Sequence, residues 1–191
     1  MVSFLLLTGC LATVDFDGGS SSDDGSSSAG TYPIGGWPKA QCDLESTGNT
    51  EGEVANDVTL EAQTEEQVNL HSFCDKVVYM VFSAEWCGAC QAEAATLEEE
   101  YQSHKDDGLM VVEFMTEKVD GSPADVDTLN TWADEYGLTL PVLADPNSTT
   151  LWTYASGGSV GLPFTVVLDR GMVVHSTNYP TAADAIALLG E

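Results

Sequence analysis

Five cysteines are the residues best equipped for chemistry: Cys10, Cys42, Cys74, Cys87 and Cys90. Only one pair has a short, chemically loaded spacing, Trp86-Cys87-Gly88-Ala89-Cys90. If Cys87 begins a helix, unpaired N–H groups and the helix dipole favour its thiolate. Cys90 then lies one turn further in, more buried but within reach of the same sulfur. An exposed, low-pKa thiol with a resolving partner is what thiol–disulfide exchange requires. The competing chemistry for such a pair is half of a zinc site. Zinc would need two more ligands from Cys42, His71, Cys74, His104 and His175, and only His71-Ser72-Phe73-Cys74 forms a second close pair. The pair therefore reads as redox-active, with neither a metal nor an organic cofactor.

The surrounding pattern must place Cys87 at such a helix start. Val77–Ser83, VVYMVFS, is a continuous apolar, β-prone run, the mark of a strand buried on both faces. From Gly88 to Lys105, Cys90, Ala94, Leu97 and Tyr101 recur at helical spacing. Leu109–Met115 reads as a second buried strand. Pro123–Tyr136 reads as a helix, with Val126, Leu129, Trp132 and Ala133 on its apolar face and Gly137 ending it. A short strand over Leu140–Ala144 and a short helix reaching Tyr154, capped by Asn147 or Ser148, come next. Phe164–Asp169 and Met172–Ser176 flank Arg170-Gly171 as a hairpin, and Thr181–Leu189 closes the chain as a helix. Upstream, Val58–Ala62 and Gln67–Leu70 pattern as a further hairpin. The order predicts a three-layer α/β sandwich, a mixed sheet with helices on both faces.

Ala84-Glu85-Trp86-Cys87-Gly88-Ala89-Cys90 resembles the thioredoxin active-site segment, and Gly161-Leu162-Pro163-Phe164-Thr165 resembles the cis-proline loop of the same superfamily. The resemblance runs from about Asn56 to Glu191. It implies the thioredoxin-like fold, with Pro163 beside the cysteines and the Leu162 backbone pairing with a substrate peptide. The N-terminal hairpin and the βα insertion at Leu140–Tyr154 are similar to the TlpA/ResA-like and peroxiredoxin-like branches. Peroxiredoxins carry Thr or Ser three residues before the reactive cysteine; Ala84 stands there, which argues against peroxidase activity. Glu93, three residues after Cys90, matches the TlpA/ResA-like branch. It shares a helix face with Cys90 and Leu97, where partial desolvation should raise its pKa and let it shuttle a proton for Cys90. Members of that branch are commonly tethered, extracytoplasmic thiol–disulfide oxidoreductases. Three positions depart from the patterns: Ala89 replaces proline, Val81 stands where thioredoxin has a buried Asp, and Ala95 replaces the proline after the Glu.

Composition bounds the partners. Acidic residues number 31 and basic residues 5, a formal net charge of −26. A phosphate backbone would repel such a surface, so nucleic acid is excluded as a partner. The hydrophobic fraction of 43% suits a folded domain, and no apolar run is long enough to span a bilayer. Leu7-Thr8-Gly9-Cys10 resembles the bacterial lipobox. This implies a lipoprotein-type signal peptide over residues 1–9, a lipidated Cys10, a Gly/Ser/Asp tether over 10–31 and the folded domain over 32–191. With Cys10 and the redox pair set aside, Cys42 and Cys74 remain. An oxidising compartment favours pairing them, the alternative being two free, buried thiols.

The expected function is a membrane-tethered, extracytoplasmic thiol–disulfide oxidoreductase acting on protein disulfides or dithiols. Cys87 attacks, Cys90 resolves, Pro163 and the Leu162 backbone orient the client, and Trp86 offers an apolar platform or simply packs. A membrane electron donor or a thiol oxidase would reset the pair. Gly88-Ala89 lacks the His of strongly oxidising relatives, which points to a reductant. The rival is a copper- or partner-binding module without turnover; copper chaperones of related fold use CxxxC with a distant His, whereas the spacing here is CxxC, although His175 is present.

Overall fold

The computed structural model describes residues 36–190; the lipobox-like segment, Cys10 and the tether lie outside them. Strands β1 (Thr59–Glu61) and β2 (Gln67–Asn69) form an antiparallel hairpin. Then follow β3 (Val77–Ser83), α1 (Gly88–His104), β4 (Leu109–Met115), α2 (Val126–Tyr136), β5 (Val142–Ala144) and α3 (Leu151–Tyr154). The chain closes with β6 (Phe164–Asp169), β7 (Val173–Ser176) and α4 (Ala182–Ala187). The main sheet has the order β5-β4-β3-β6-β7. β5, β4 and β3 run parallel, while β6 and β7 are antiparallel to their neighbours. This is the thioredoxin-like α/β arrangement that the motifs imply.

Both central strands are buried at every position, as expected of apolar runs without alternation. Their two faces meet different layers. On one, the Tyr79 hydroxyl donates to the Pro180 carbonyl at 3.3 Å, and Thr165 Oγ1 donates to the same carbonyl at 2.7 Å, fastening the sheet below α4. Trp132 of α2 reaches Glu113 of β4 on this same face. On the other, Phe82 packs against Phe114 and Phe164 with ring centroids 4.7 and 5.9 Å apart, and Tyr154 of α3 lies 6.3 Å from Phe82. Helices thus cover both faces.

The hairpin guards a sheet edge. Ala62 bridges to Leu143, Gln63 Nε2 donates to the Leu140 carbonyl at 2.7 Å, and Val142 N–H donates to Gln63 Oε1 at 2.9 Å. These contacts occupy polar groups that β5 would otherwise present to another chain. Near the start of the described residues, Trp37 is buried and its indole N–H donates to the Thr139 carbonyl at 2.8 Å.

Several element boundaries differ from the sequence reading. α2 begins at Val126, not Pro123, because Asp125 accepts the Thr128 N–H and hydroxyl while Pro123 bridges to Glu117. The short helix before Tyr154 is not capped by Asn147 or Ser148. Both have left-handed φ, and Asp145 instead accepts the N–H groups of Thr150 and Leu151 at 2.8 and 2.9 Å. The closing helix is shorter than predicted. A Thr181–Asp184 capping box starts α4, which tightens into a 3-10 turn at Leu188–Gly190.

Candidate active site

The site grows from the end of β3. Ala84 is buried and accepts the Cys87 N–H at 2.9 Å. Glu85 N–H donates to the Glu117 carbonyl at 2.9 Å, tying the loop after β3 to the loop after β4. Cys87 has extended backbone angles and caps α1, its Sγ accepting the Cys90 N–H at 3.2 Å. The sulfur therefore faces the unpaired N–H groups of the helix start, the field that stabilises a thiolate. Cys87 and Cys90 are bonded to each other. Cys87 is not the exposed sulfur that the sequence reading pictured. In this disulfide form it is 5% exposed and Cys90 is 2% exposed, because Sγ of Cys87 turns inward onto its partner.

Trp86, by contrast, is 51% exposed, and its indole N–H donates to Glu117 Oε2 at 2.8 Å. The peptide between Leu162 and Pro163 is cis. The antiparallel register that pairs Phe82 with Phe164 sets Pro163 level with Ser83, at the strand end from which the cysteine loop departs. Tyr179 braces this loop: its hydroxyl accepts the Gly161 N–H at 3.1 Å, and its ring meets Phe164 edge-on at 5.1 Å. A groove of about 250 Å³ runs beside the site, lined by Trp86, Glu117, Leu151, Trp152, Val160 and Leu162 among others. The structure thus brings Trp86 and Leu162 to one surface, with the exposed ring of Trp152 on the same groove.

Glu93 is half-buried on α1, and burial pushes its carboxyl above the ordinary value. A second carboxyl lies deeper. Glu113 of β4 is fully buried, opposite Val81 in the parallel register. Its Oε2 accepts the Trp132 indole N–H at 2.9 Å, while Oε1 has no hydrogen-bond partner. Burial raises its pKa to about 7; the nearby Ser83 hydroxyl and the Trp132 bond oppose the rise, and the charge of Glu93 adds to it. Glu113, Glu117 and Trp152 are not among the site residues expected from the sequence. Glu113 carried a signal, a lone acid within the otherwise apolar run LMVVEFM. Glu117 and Trp152 carried none, since acids and aromatics on loops and short helices are commonplace.

Cys42 and Cys74 are bonded to one another, joining the N-terminal segment to the 3-10 turn at Leu70–Phe73. This pairing takes both sulfurs away from any metal shared with Cys87 and Cys90. His71, the other member of that close pair, has its Nε2 2.8 Å from the Ala55 carbonyl.

The AhpC/TSA family model matches residues 52–177, more than half of the chain. The chain belongs to the AhpC/TSA family. Within this AhpC/TSA chain the matched span runs from the residues before β1 through β7 and contains Cys87, Cys90 and the cis-proline loop. The thiol-disulfide oxidoreductase ResA of Oceanobacillus iheyensis is 34% identical over 110 residues, 56% of this chain and 54% of that protein. The thioredoxin-like protein YneN of Bacillus subtilis is 29% identical over 147 residues, 76% of this chain and 82% of the other. The chain spans 54 to 58% of the length of the first ResA proteins that it matches. Among solved structures, a secreted thiol-disulfide isomerase from Corynebacterium glutamicum superposes with a TM-score of 0.59 at 22% identity, covering 71% of this chain and 85% of the other.

Proposed function

We propose that this AhpC/TSA chain is a thiol–disulfide oxidoreductase of the ResA type that reduces protein disulfides. The observation that carries the reading is the Cys87–Cys90 pair at the strand–helix junction, beside an apolar groove that reaches Leu162. In the reduced enzyme the Cys87 thiolate attacks one sulfur of a client disulfide. The client S–S bond breaks, one client thiolate leaves, and a mixed disulfide forms. Cys90 gives its proton to Glu93, and its thiolate attacks Cys87. The second client thiolate departs, and the Cys87–Cys90 disulfide remains. Two electrons have moved to the client, whose thiolates take protons from solvent. A membrane electron donor then returns two electrons to the enzyme. The Leu162 backbone and Pro163 orient the client chain, and Trp86 supplies the apolar platform.

Ala84, buried where a peroxidase would place a hydroxyl, disfavours peroxide chemistry at this site. Tethering belongs to the same proposal: cleavage before Cys10, its lipidation and the leash to residue 31 would hold the domain on the extracytoplasmic side of the membrane. Cys10→Ala should then move the protein from the membrane to the soluble fraction.

The deciding experiment is reduction of insulin disulfides by the reduced protein, with Cys87→Ala and Cys90→Ala as controls. Turnover lost in both variants supports the oxidoreductase. Absent turnover, together with equilibrium copper binding by the reduced protein, would favour the binding-module alternative.

A further inference from the structure

The buried carboxyl of Glu113 has no structural excuse. A fully buried acid is costly unless paired or fully hydrogen-bonded. Glu113 has one accepted bond, from Trp132, and one oxygen with none. None of the Lys or Arg ion pairs among the described residues includes it. The neighbouring hydroxyl, Ser83 Oγ, is also buried, and Glu113 is the one group it acts on. A buried carboxyl and a buried hydroxyl with no partners beyond one another and the Trp132 indole, at the end where the cysteine loop leaves β3, mark a place where a proton is held rather than a place built for stability.

The groups around it are few. From α1 comes Glu93, whose charge adds to the burial that raises the pKa of Glu113 and of Tyr79 on β3. From α2 come the Trp132 indole and Tyr136, whose hydroxyl in turn feels the charge of Glu113. From β3 come Ser83 and, in register, apolar Val81. Toward β5 the Glu113 backbone N–H donates to the Pro141 carbonyl. The facing titratable groups all become more negative when they ionise, so nothing offsets a negative charge that arises here.

We propose that Glu113 is a positioning residue of the redox site, coupled to Glu93 beneath α1, and that the proton it holds depends on whether Cys87 and Cys90 are a dithiol or a disulfide. This rests on the oxidoreductase reading above. The disulfide is neutral, whereas the reduced site carries a thiolate at the start of the same helix. A thiolate repels an ionised Glu113, so the reduced enzyme holds the Glu113 proton more tightly. Reciprocity then requires that ionised Glu113 disfavour the reduced state. Between the two Glu113 midpoints, reduction of the disulfide takes up an extra proton from solvent along with its two electrons. Above both, the dithiol becomes a stronger reductant.

Trp132 reports the event directly, since its indole N–H donates to Glu113 Oε2. The test is a pH titration of the Trp132 indole ¹⁵N–¹H resonance in the full chain, once as disulfide and once as dithiol. The expected result is a sigmoid near neutral pH in both forms, with the dithiol midpoint higher by about half a pH unit, roughly threefold in ionisation constant. Glu113→Gln, which keeps a carbonyl to accept the indole N–H, should abolish the sigmoid. It should also flatten the pH dependence of the reduction potential over the same range. Coincident midpoints in the two forms, or no titration at all in the wild type, would overturn the proposal. Insulin reduction measured on the same samples separates the two readings: turnover with coincident midpoints discards only the role of Glu113, whereas no turnover discards the oxidoreductase itself.

Discussion

The indole N–H of Trp86 donates to Glu117 Oε2 across 2.8 Å, so the ring beside Cys87 is held by the loop that follows β4. The ring is half exposed yet tethered at its polar edge, which leaves its apolar surface for a client. It shares one groove with Leu162 and Trp152. Trp86→Ala should raise KM for a peptide disulfide about tenfold, the loss of roughly 1.4 kcal/mol of apolar contact. Labelling of Cys87 by a small thiol reagent should hardly change. Steady-state kinetics with an unaltered KM would show that Trp86 only packs.

The two cysteines should not be equivalent. Cys87 caps α1 and faces its N–H groups, while Cys90 is buried one turn inside with Ala94 and Leu97. Cys90→Ala should accumulate client adducts on non-reducing gels, and Cys87→Ala should capture none. In the reduced wild type, Cys87 should be alkylated first. Trapping by Cys87→Ala would reverse the assigned polarity.

Glu93 is raised by burial, so it stays protonated to a higher pH than an exposed glutamate. As the base for Cys90 it works only when ionised. The resolution rate should therefore fall as pH drops through its raised pKa, and Glu93→Gln should slow resolution and remove that acid limb. Stopped-flow resolution of a preformed mixed disulfide measures this; a profile retaining the limb in the variant returns Glu93 to a surface role.

The Cys42–Cys74 bond closes a loop with a sequence separation of 32. In the chain-entropy model such a loop is worth about 3–4 kcal/mol. Replacing both cysteines by Ala should lower stability to urea by that order while insulin reduction persists below the shifted midpoint. Loss of turnover in a variant that remains folded would give this bond a redox role.

Glu113 makes stability depend on pH with a definite sign. Its folded pKa, about 7, lies above the ordinary 4.5, so the native state binds more protons between those values. Stability must then fall as pH rises from about 4.5 to 7 and stay lowered above. The full shift corresponds to a penalty on the order of 3 kcal/mol. Glu113→Gln should thus match the wild type near pH 4 and exceed it at pH 8 in urea denaturation. An equal loss at both pH values would show a structural role for the carboxylate.

Much of this was legible beforehand because the signals are local. A buried-strand run, a helical stripe and the CxxC between them place a thiol at a helix start wherever the chain folds in that pattern. The proline after Leu162 could be matched to its loop because the residues around it form a recognisable segment. Capping was less legible. Asp125 and Asp145 displaced the expected starts of α2 and α3, since which nearby polar side chain reaches the free N–H groups depends on the path of the loop.

The strand–helix framework, the redox pair and the candidate base one turn beyond it follow from spacing along one or two elements, so the order of residues alone carries them. What lies around them came from packing between elements. Parallel pairing of β3 with β4 set Glu113 opposite Val81, and α2 packing brought Trp132 to it. Loop contacts carried Glu117 to Trp86, and the groove set Trp152 and Leu162 on one surface. Trp152 and Leu162 are 10 residues apart in the chain, and the other pairs 19 to 32. Their meeting depends on register and layer packing, which no local pattern encodes, and a buried acid reveals its unpaired oxygen only when every neighbour is in place.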